Sequence, residues 1–474
     1  MFKKSYIIII IASLLLFSLS CSEKKESKMG FTGEPGEVVL MTLDPGHFHA
    51  SLVQKTMYDQ VSPVVYVYAP EGSDVEVHLK RIESFNTRVD NPASWEEKVY
   101  TGSDFFERMI AEKPGNVMIT AGNNRKKTEY IKASVDAGIQ VLSDKPMCID
   151  RAGFAFLKDA FETAELNNVL LYDIMTERHE ITSILQKELV HTTEMFGDIL
   201  PGTPDDPSVI KESVHHIFKY VAGSPIQRPE WFFDVTRQGE GLVDINTHLV
   251  DLVMWGCFPE QVIDYTADIE IKRARRWPTM VSVDQFEKAT RSGDFPDYLK
   301  SDLDDNGILP YYCNGDMVLE MNQIHAKTSV IWNFEAPEGT GDTHYSVIKG
   351  TGASVIILQD KAQNYRPELY IEPAVSLAEM EEAERDAFDD LVENAVNGLE
   401  RSFPGIGIER DGDRWHVLIP DSYRIGHEAH FGQVAEKYLG YLVDGKLPAW
   451  EVPNMLTKYY ITTGALEMAH ANDK

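Results

Sequence analysis

The sequence predicts an α/β protein: a parallel, doubly wound sheet in its first half and an α+β second half whose strands run antiparallel. Three observations carry this. Short apolar runs alternate with helical spacing up to about residue 175, which is the pattern of a sheet covered by crossover helices. One of those runs, Val141-Leu142-Ser143, passes directly into Asp144-Lys145-Pro146 and a further helical pattern from Ala152. Beyond residue 310, apolar runs follow one another without helices between them.

Taken in order, Val38 to Leu43 reads as a buried strand, and Asp44-Pro45-Gly46-His47-Phe48-His49-Ala50 turns into a helix from Ser51 to about Gln60. Asp44 and Pro45 suit the N-cap and first position of that helix. Val64 to Ala69 is the second strand, Val75 to Ser84 a helix, and Asp104 to Ala111 has helical spacing after Trp95 to Tyr100. Asn116 to Thr120 is a strand ending at Ala121-Gly122-Asn123-Asn124. Lys127 to Ala137 is a helix closed by Gly138, and the strand carrying Lys145 follows. Val169 to Ile174 is one more strand, and Thr176 leads a helix through Leu189. Val318 to Met321, Thr328 to Phe334 and His344 to Lys349 alternate as antiparallel strands. Leu377 to Leu399 is a charged surface helix, His427 opens a helix to Val443, and Met455 to His470 is the last.

Composition narrows the partners. Formal net charge is -30, from 75 acids against 45 Lys and Arg. Nucleic acids and anionic membranes both reward clustered cations, so neither is expected as a partner. The four cysteines form no CxxC pair, which argues against a disulfide framework or a zinc-cysteine site. Lys3 and Lys4 precede an apolar run, Ile7 to Leu19, too short for the roughly 20 residues of a membrane span. The stretch Ser18-Leu19-Ser20-Cys21 followed by a polar segment resembles a bacterial lipoprotein signal, with lipid on the Cys21 thiol. Ser18 replaces the usual leucine of that box, and a plain secretory signal cut further on is the other reading. Residues 1–28 are thus a targeting segment and 29–36 a linker. Export follows in both cases, with membrane contact through a lipid anchor alone.

The chemistry begins at Lys145. A lysine just past a buried strand sits where open α/β sheets bind ligands, and Pro146 confines it to an extended conformation. The order strand–turn–helix, strand–acid, strand–Asn-rich turn, then helix–Gly–strand–Asp-Lys-Pro resembles the Gfo/Idh/MocA family, which includes glucose–fructose oxidoreductase and inositol dehydrogenase. Asp144-Lys145-Pro146 matches its Glu-Lys-Pro motif. Asn124 stands where its Asn-x-x-His motif begins, with Lys127 in place of the histidine. The resemblance implies a Rossmann domain over 37–150 and a substrate domain over 151–474 on an open, largely antiparallel sheet, with the last helices able to pack back on the first domain. It also implies NAD or NADP as cofactor and sugars or polyols as substrates.

The dinucleotide fingerprint needs three glycines, for the tight turn, pyrophosphate approach and helix packing. This chain offers Asp44, Gly46 and His49, and a capping carboxylate at Asp44 would repel the diphosphate. His47 or His49, if protonated, could offset that, or the histidine-rich turn could face a substrate or a metal instead. The expected cofactor-binding set is Asp44, Gly46, His47, His49, Glu71 as ribose acid, Asn124, Asp144, Lys145 and Pro146.

A second motif, Gly239-Glu240-Gly241 leading to Asp244, His248 and Asp251, resembles the family's Asp-x-x-x-His-x-x-Asp helix. Residues four apart share a helix face, so Asp244 is expected to orient His248, with Asp251 on the same stripe. Alcohol oxidation needs a base for the hydroxyl proton, which a histidine supplies near neutral pH. Lys145 would stabilise the developing alkoxide. The expected catalytic set is therefore Lys145, Asp244 and His248, with Arg178, Asp251, His427 and His430 binding substrate. No metal is expected: His427 and His430 lie three apart but lack an H-E-x-x-H pattern or a third ligand.

The leading expectation is an exported oxidoreductase acting on a sugar or glycoside hydroxyl with a tightly held nicotinamide cofactor. Alternatives are a keto-sugar or glycoside lyase, a hydratase or an NAD-dependent glycosidase of the same fold, or a non-catalytic sugar-binding lipoprotein. A homo-oligomer formed through the open C-terminal sheet is also expected.

Overall fold

The computed structural model describes residues 30–221 and 224–473. The targeting segment and Cys21 lie outside them. The expected linker already folds as a turn at its end: the Glu37 carboxylate collects the backbone N–H groups of Thr32, Gly33 and Glu34.

Six strands form one parallel sheet: β1 (Leu40–Leu43), β2 (Val64–Ala69), β3 (Glu96–Thr101), β4 (Val117–Thr120), β5 (Gln140–Asp144) and β6 (Leu171–Ile174). Their spatial order is β3-β2-β1-β4-β5-β6, so the order reverses between β1 and β4, the crevice where such sheets bind ligands. The central strands are buried along their whole length, which is why they read as unbroken apolar runs. Helices α1 (His49–Leu52), α2 (Ser73–Thr87), α3 (Phe105–Glu112), α4 (Asn124–Asp136) and α5 (Arg151–Asn167) connect them.

Two expectations need correction here. The first sheet continues through β6, so the first domain extends past residue 150 to include α5 and that strand. The helix expected from Ser51 to Gln60 is a single turn, and its N-cap is Phe48 rather than Asp44. Side chains arriving from α2 and β3 explain the early stop. The Gln54 carbonyl accepts the Trp95 indole N–H (2.6 Å) and the Lys55 carbonyl accepts Arg88 Nη2 (2.7 Å), taking acceptors a longer helix would use.

The second domain is built on a nine-stranded sheet, antiparallel except where β7 (Val209–Phe218) runs parallel to Ile324–Glu335. Helices α6 (Ile181–Val190), the one-turn α7 (Thr193–Phe196) and α8 (Val235–Gln238), α9 (Asn246–Cys257), α10 (Val283–Thr290) and α11 (Glu382–Leu399) accompany it. Leu185, Val250, Val253, Val392 and Ile461 share one core against this sheet. The last helices, α12 (His427–Asp444) and α13 (Glu451–Asn472), return to the first domain: Phe431, Tyr438, Met455 and Tyr459 belong to its core. No helix among the described residues is long and apolar enough to cross a membrane.

His78 on α2 is buried with both ring nitrogens unpartnered, and burial pushes its pKa down to about 4 from an ordinary 6.5. The native state therefore binds fewer protons than the unfolded chain, and this contribution is complete above pH 6.5 and lost as pH falls through about 4. We expect His78→Leu to flatten the fall in stability over that window by on the order of 3 kcal/mol, read by denaturant melts at stepped pH.

Candidate active site

The carboxyl ends of β1, β4, β5 and β6 deliver Asp44 to His49, the 121–124 turn, Asp144-Lys145 and Thr176 to His179 to one rim. Across it stands the loop from Trp231 to the start of α9. Lys145 Nζ reaches over and pairs with Asp244 Oδ1 at 2.7 Å, both side chains buried. Asp244 Oδ2 accepts Gln238 Nε2 (2.9 Å), and the Gln238 carbonyl accepts Asn124 Nδ2 (2.6 Å). The rim and the second domain are thus stitched by a polar chain that runs from Asn124 through Gln238 and Asp244 to Lys145.

The expected Asp244–His248 bond is absent. Asp244 lies in the turns before α9 begins at Asn246, so it is not one helical repeat below His248. Its carboxylate is taken by Lys145 and Gln238, which makes Asp244 a positioning residue for the ammonium. His248, at the third position of α9, is buried, and its Nδ1 has no partner among the described residues. Burial first, then the charges of Lys145 and His427, hold its imidazole well below the usual range, so it is neutral near pH 7.

Asp251 and Arg178 serve a different purpose from the one expected. Arg178 grips Asp251 with two bonds of 2.7 Å and Glu451 at 3.0 Å; Lys458 bonds Asp251 (2.9 Å) and Asp173 (2.7 Å). Burial alone would raise the Asp251 pKa, but Arg178 and Lys458 hold it far below the carboxylate range. The network is closed within the protein and ties β6, α9 and α13 together. It leaves neither residue free for substrate.

On the β1 side, Asp44 turns inward: its carboxylate accepts Asn123 Nδ2 (3.0 Å) and the Tyr130 hydroxyl (3.1 Å) instead of capping a helix. His47 and His49 face Asp144, with Nδ1 to Oδ2 distances of 3.8 and 3.0 Å. Their rings meet edge to face, 4.0 Å between centroids. Burial depresses both imidazoles, with His49 next for His47, and His427 and Lys145 next for His49. Lys127 is fully buried and donates to the Asp144 carbonyl at 3.0 Å; burial brings it down to about 8. His427 approaches from α12, 5.8 Å from His49 between ring centroids, while His430 is buried with Nδ1 unpartnered. Pro146 follows Lys145 at the end of β5. Glu71 stays exposed in the turn after β2 and makes no hydrogen bond among the described residues. The inward position there belongs to Asp74, which accepts the Trp231 indole N–H at 3.0 Å.

Trp231 matters for the groove. In the fingerprint, the second glycine admits the pyrophosphate. At Gly46 an added Cβ would meet Trp231 Cζ2 and Asp74 Oδ2, each at 3.4 Å. The indole therefore packs close against the one fingerprint glycine that remains. No spacing in the sequence signals the contact of Trp231 with Gly46. Sequence reasoning missed Gln238, Lys458 and Glu451 for the same reason.

A parallel-sheet domain whose strand ends face a second, sheet-based domain across a cleft holding Lys145 and His248 defines a two-domain oxidoreductase of the Gfo/Idh/MocA type. Residues 185–470 match the family model described as "Putative oxidoreductase C terminal domain", and the chain belongs to that family. A crystal structure of a "putative oxidoreductase" from Parabacteroides merdae is 54% identical, with a TM-score of 0.90 over 94% of this chain and 100% of that one. Levoglucosan dehydrogenase in complex with NADH and levoglucosan shares the fold at 13% identity, TM-score 0.57, over 92% and 97% of the two chains. Biliverdin reductase from Synechocystis, in complex with biliverdin and NADP+, does so at 10% identity, TM-score 0.55, over 91% and 99%. No curated protein matches the chain.

We expect Arg178→Ala to destabilise the protein by about 3–5 kcal/mol, because Asp251 and Glu451 would be left charged and buried. Denaturant melts check this. A folded, equally stable variant with only a raised KM would restore the substrate-binding role.

Proposed function

We propose that the protein oxidises a hydroxyl group of a sugar or glycoside using a tightly held nicotinamide cofactor, NAD or NADP. The observation that carries the reading is the buried imidazole of His248, whose Nδ1 has no hydrogen-bond partner among the described residues and whose protonation is opposed by burial and by the charge of Lys145. His248 takes the hydroxyl proton. Lys145 spends one N–H on Asp244 and has two left to donate to the same oxygen as its charge grows. Asp244 and Gln238 hold the ammonium in place, and His427 borders the substrate space. The cofactor, when bound, accepts the hydride leaving carbon. Its nicotinamide end would sit against Asn124 and Lys145 at the carboxyl ends of β4 and β5. Gly46, beside the Trp231 indole, would offer the diphosphate end a backbone approach.

That indole favours a second reading, a keto-sugar or glycoside lyase, hydratase or glycosidase using His248 as base. The levoglucosan complex supports a carbohydrate substrate only by analogy of fold.

Two further parts of the proposal concern the whole chain. The protein is exported and anchored by lipid on Cys21, and copies associate through the C-terminal sheet. Mass spectrometry of the N-terminal peptide from membranes should find a diacylglyceryl-modified Cys21, and Cys21→Ser should release the protein; an unmodified thiol rules the anchor out.

For the chemistry, purified protein should develop near-ultraviolet absorbance on borohydride treatment and release nicotinamide on denaturation. His248→Ala should lose about 10²- to 10⁴-fold in kcat with sugar binding retained. Sugar turnover by a protein that neither holds nor needs nicotinamide would move the assignment to the lyase reading.

A further inference from the structure

We propose that His47, His49 and Asp144 form a binding site for a divalent transition-metal ion at the switch-point crevice between β1 and β5's neighbour β4. The site rests on geometry. One ligand atom from each residue lies within 4.8 Å of the other two. The Asp144 Oδ2 edges to His49 Nδ1 and His47 Nδ1 are 3.0 and 3.8 Å. A tetrahedral ion with bonds of about 2.0–2.2 Å needs edges of roughly 3.3–3.6 Å between ligands, which these two distances bracket, while the edge between the two histidines lies within 4.8 Å. Small rotations of two rings would equalise them.

The protons can make way for an ion. The His49 backbone N–H donates to His47 Nδ1 at a long 3.4 Å, so that nitrogen is unprotonated and the weak bond it accepts can be exchanged for one to a metal. His49 Nδ1 lies 3.1 and 3.0 Å from the two Asp144 oxygens and would give up its proton on binding, as imidazole ligands do.

The surroundings are those of a ligating set. Asp144 is pinned through its own carbonyl by Lys127, and the His49 ring packs on Phe431 at 4.5 Å between centroids. Such fixing of ligand orientation by neighbouring groups is characteristic of metal sites. Two imidazoles and one carboxylate suit zinc, cobalt, iron(II) or manganese better than calcium or magnesium. Three protein ligands leave a fourth position for a water or substrate oxygen, the arrangement of catalytic rather than structural zinc. That position would open to the cleft containing Lys145, His248 and His427, so the ion would bind and polarise an oxygen of the same small molecule.

The site is independent of the nicotinamide reading, and its test needs no turnover. Chelator-treated protein is titrated with cobalt(II) and followed by visible absorption. We expect saturation at about one ion per chain with the intense bands of a low-coordinate site, and competition by zinc. His47→Ala and His49→Ala should abolish the bands, and His427→Ala should keep them. Thermal melts with and without zinc guard against misfolding: the wild type should melt higher with zinc, while folded His47→Gln should not respond. Weak, hydrated-ion spectra in the wild type, or bands unchanged in both histidine variants, would overturn the site.

Discussion

One buried carboxylate, Asp251, decides where the active site can be. Arg178 from the rim of the first sheet and Lys458 from the last helix converge on it, and Glu451 and Asp173 neutralise their remaining charge. Each ion has left water, so each needs all its partners, and removing one strands the others. The consequence is geometric. Helix α9 is clamped between the first sheet and α13, and His248, one turn before Asp251, is held at the cleft. The His248 imidazole owes its place to a network in which it takes no part.

The second link, Lys145 with Asp244, works differently. It also crosses between domains, but at the cleft wall, where the ammonium keeps donors free. Burial and the neighbouring cation keep His248 neutral, and burial does the same for His47 and His49. The cleft therefore presents electron pairs from imidazoles around one fixed positive charge.

The first domain was legible because its signals are local. Apolar runs mark β1, β2, β4 and β5 to within a residue or two, and Gly138, at φ +76, closes α4 as its position predicts. Strand β3 was passed over because Glu96-Glu97-Lys98 gives it the charged surface of an edge strand rather than an apolar run. Lys145 and His248 were legible as a pair because motif and chemistry agree on them. The partners were not. Asp244 four residues before His248 looks like a helical pair, yet the helix starts two residues too late for it. Arg178 and Asp251 carry the residue types of a binding site, and only the fold reveals Lys458 and Glu451 closing on them. Spacing reports neighbours along an element and is silent about elements that meet in space.

The β1 turn shows how far one end of a groove can change while the other is kept. With a single glycine of the fingerprint left, the turn no longer has to lie flat, and two histidines use the room. Asp44 at φ +48 directs its carboxylate away to Asn123 and Tyr130, so the crevice loses a repelling charge it was expected to have. Trp231 then closes over Gly46, held by Asp74. A diphosphate would have to displace an indole worth roughly 1.5–3 kcal/mol of burial and break its bond to Asp74. That cost is within the reach of a ligand making many contacts, and it would be subtracted from the affinity those contacts provide. A groove that closes over its own glycine therefore sets a threshold that only a ligand with many other contacts can cross.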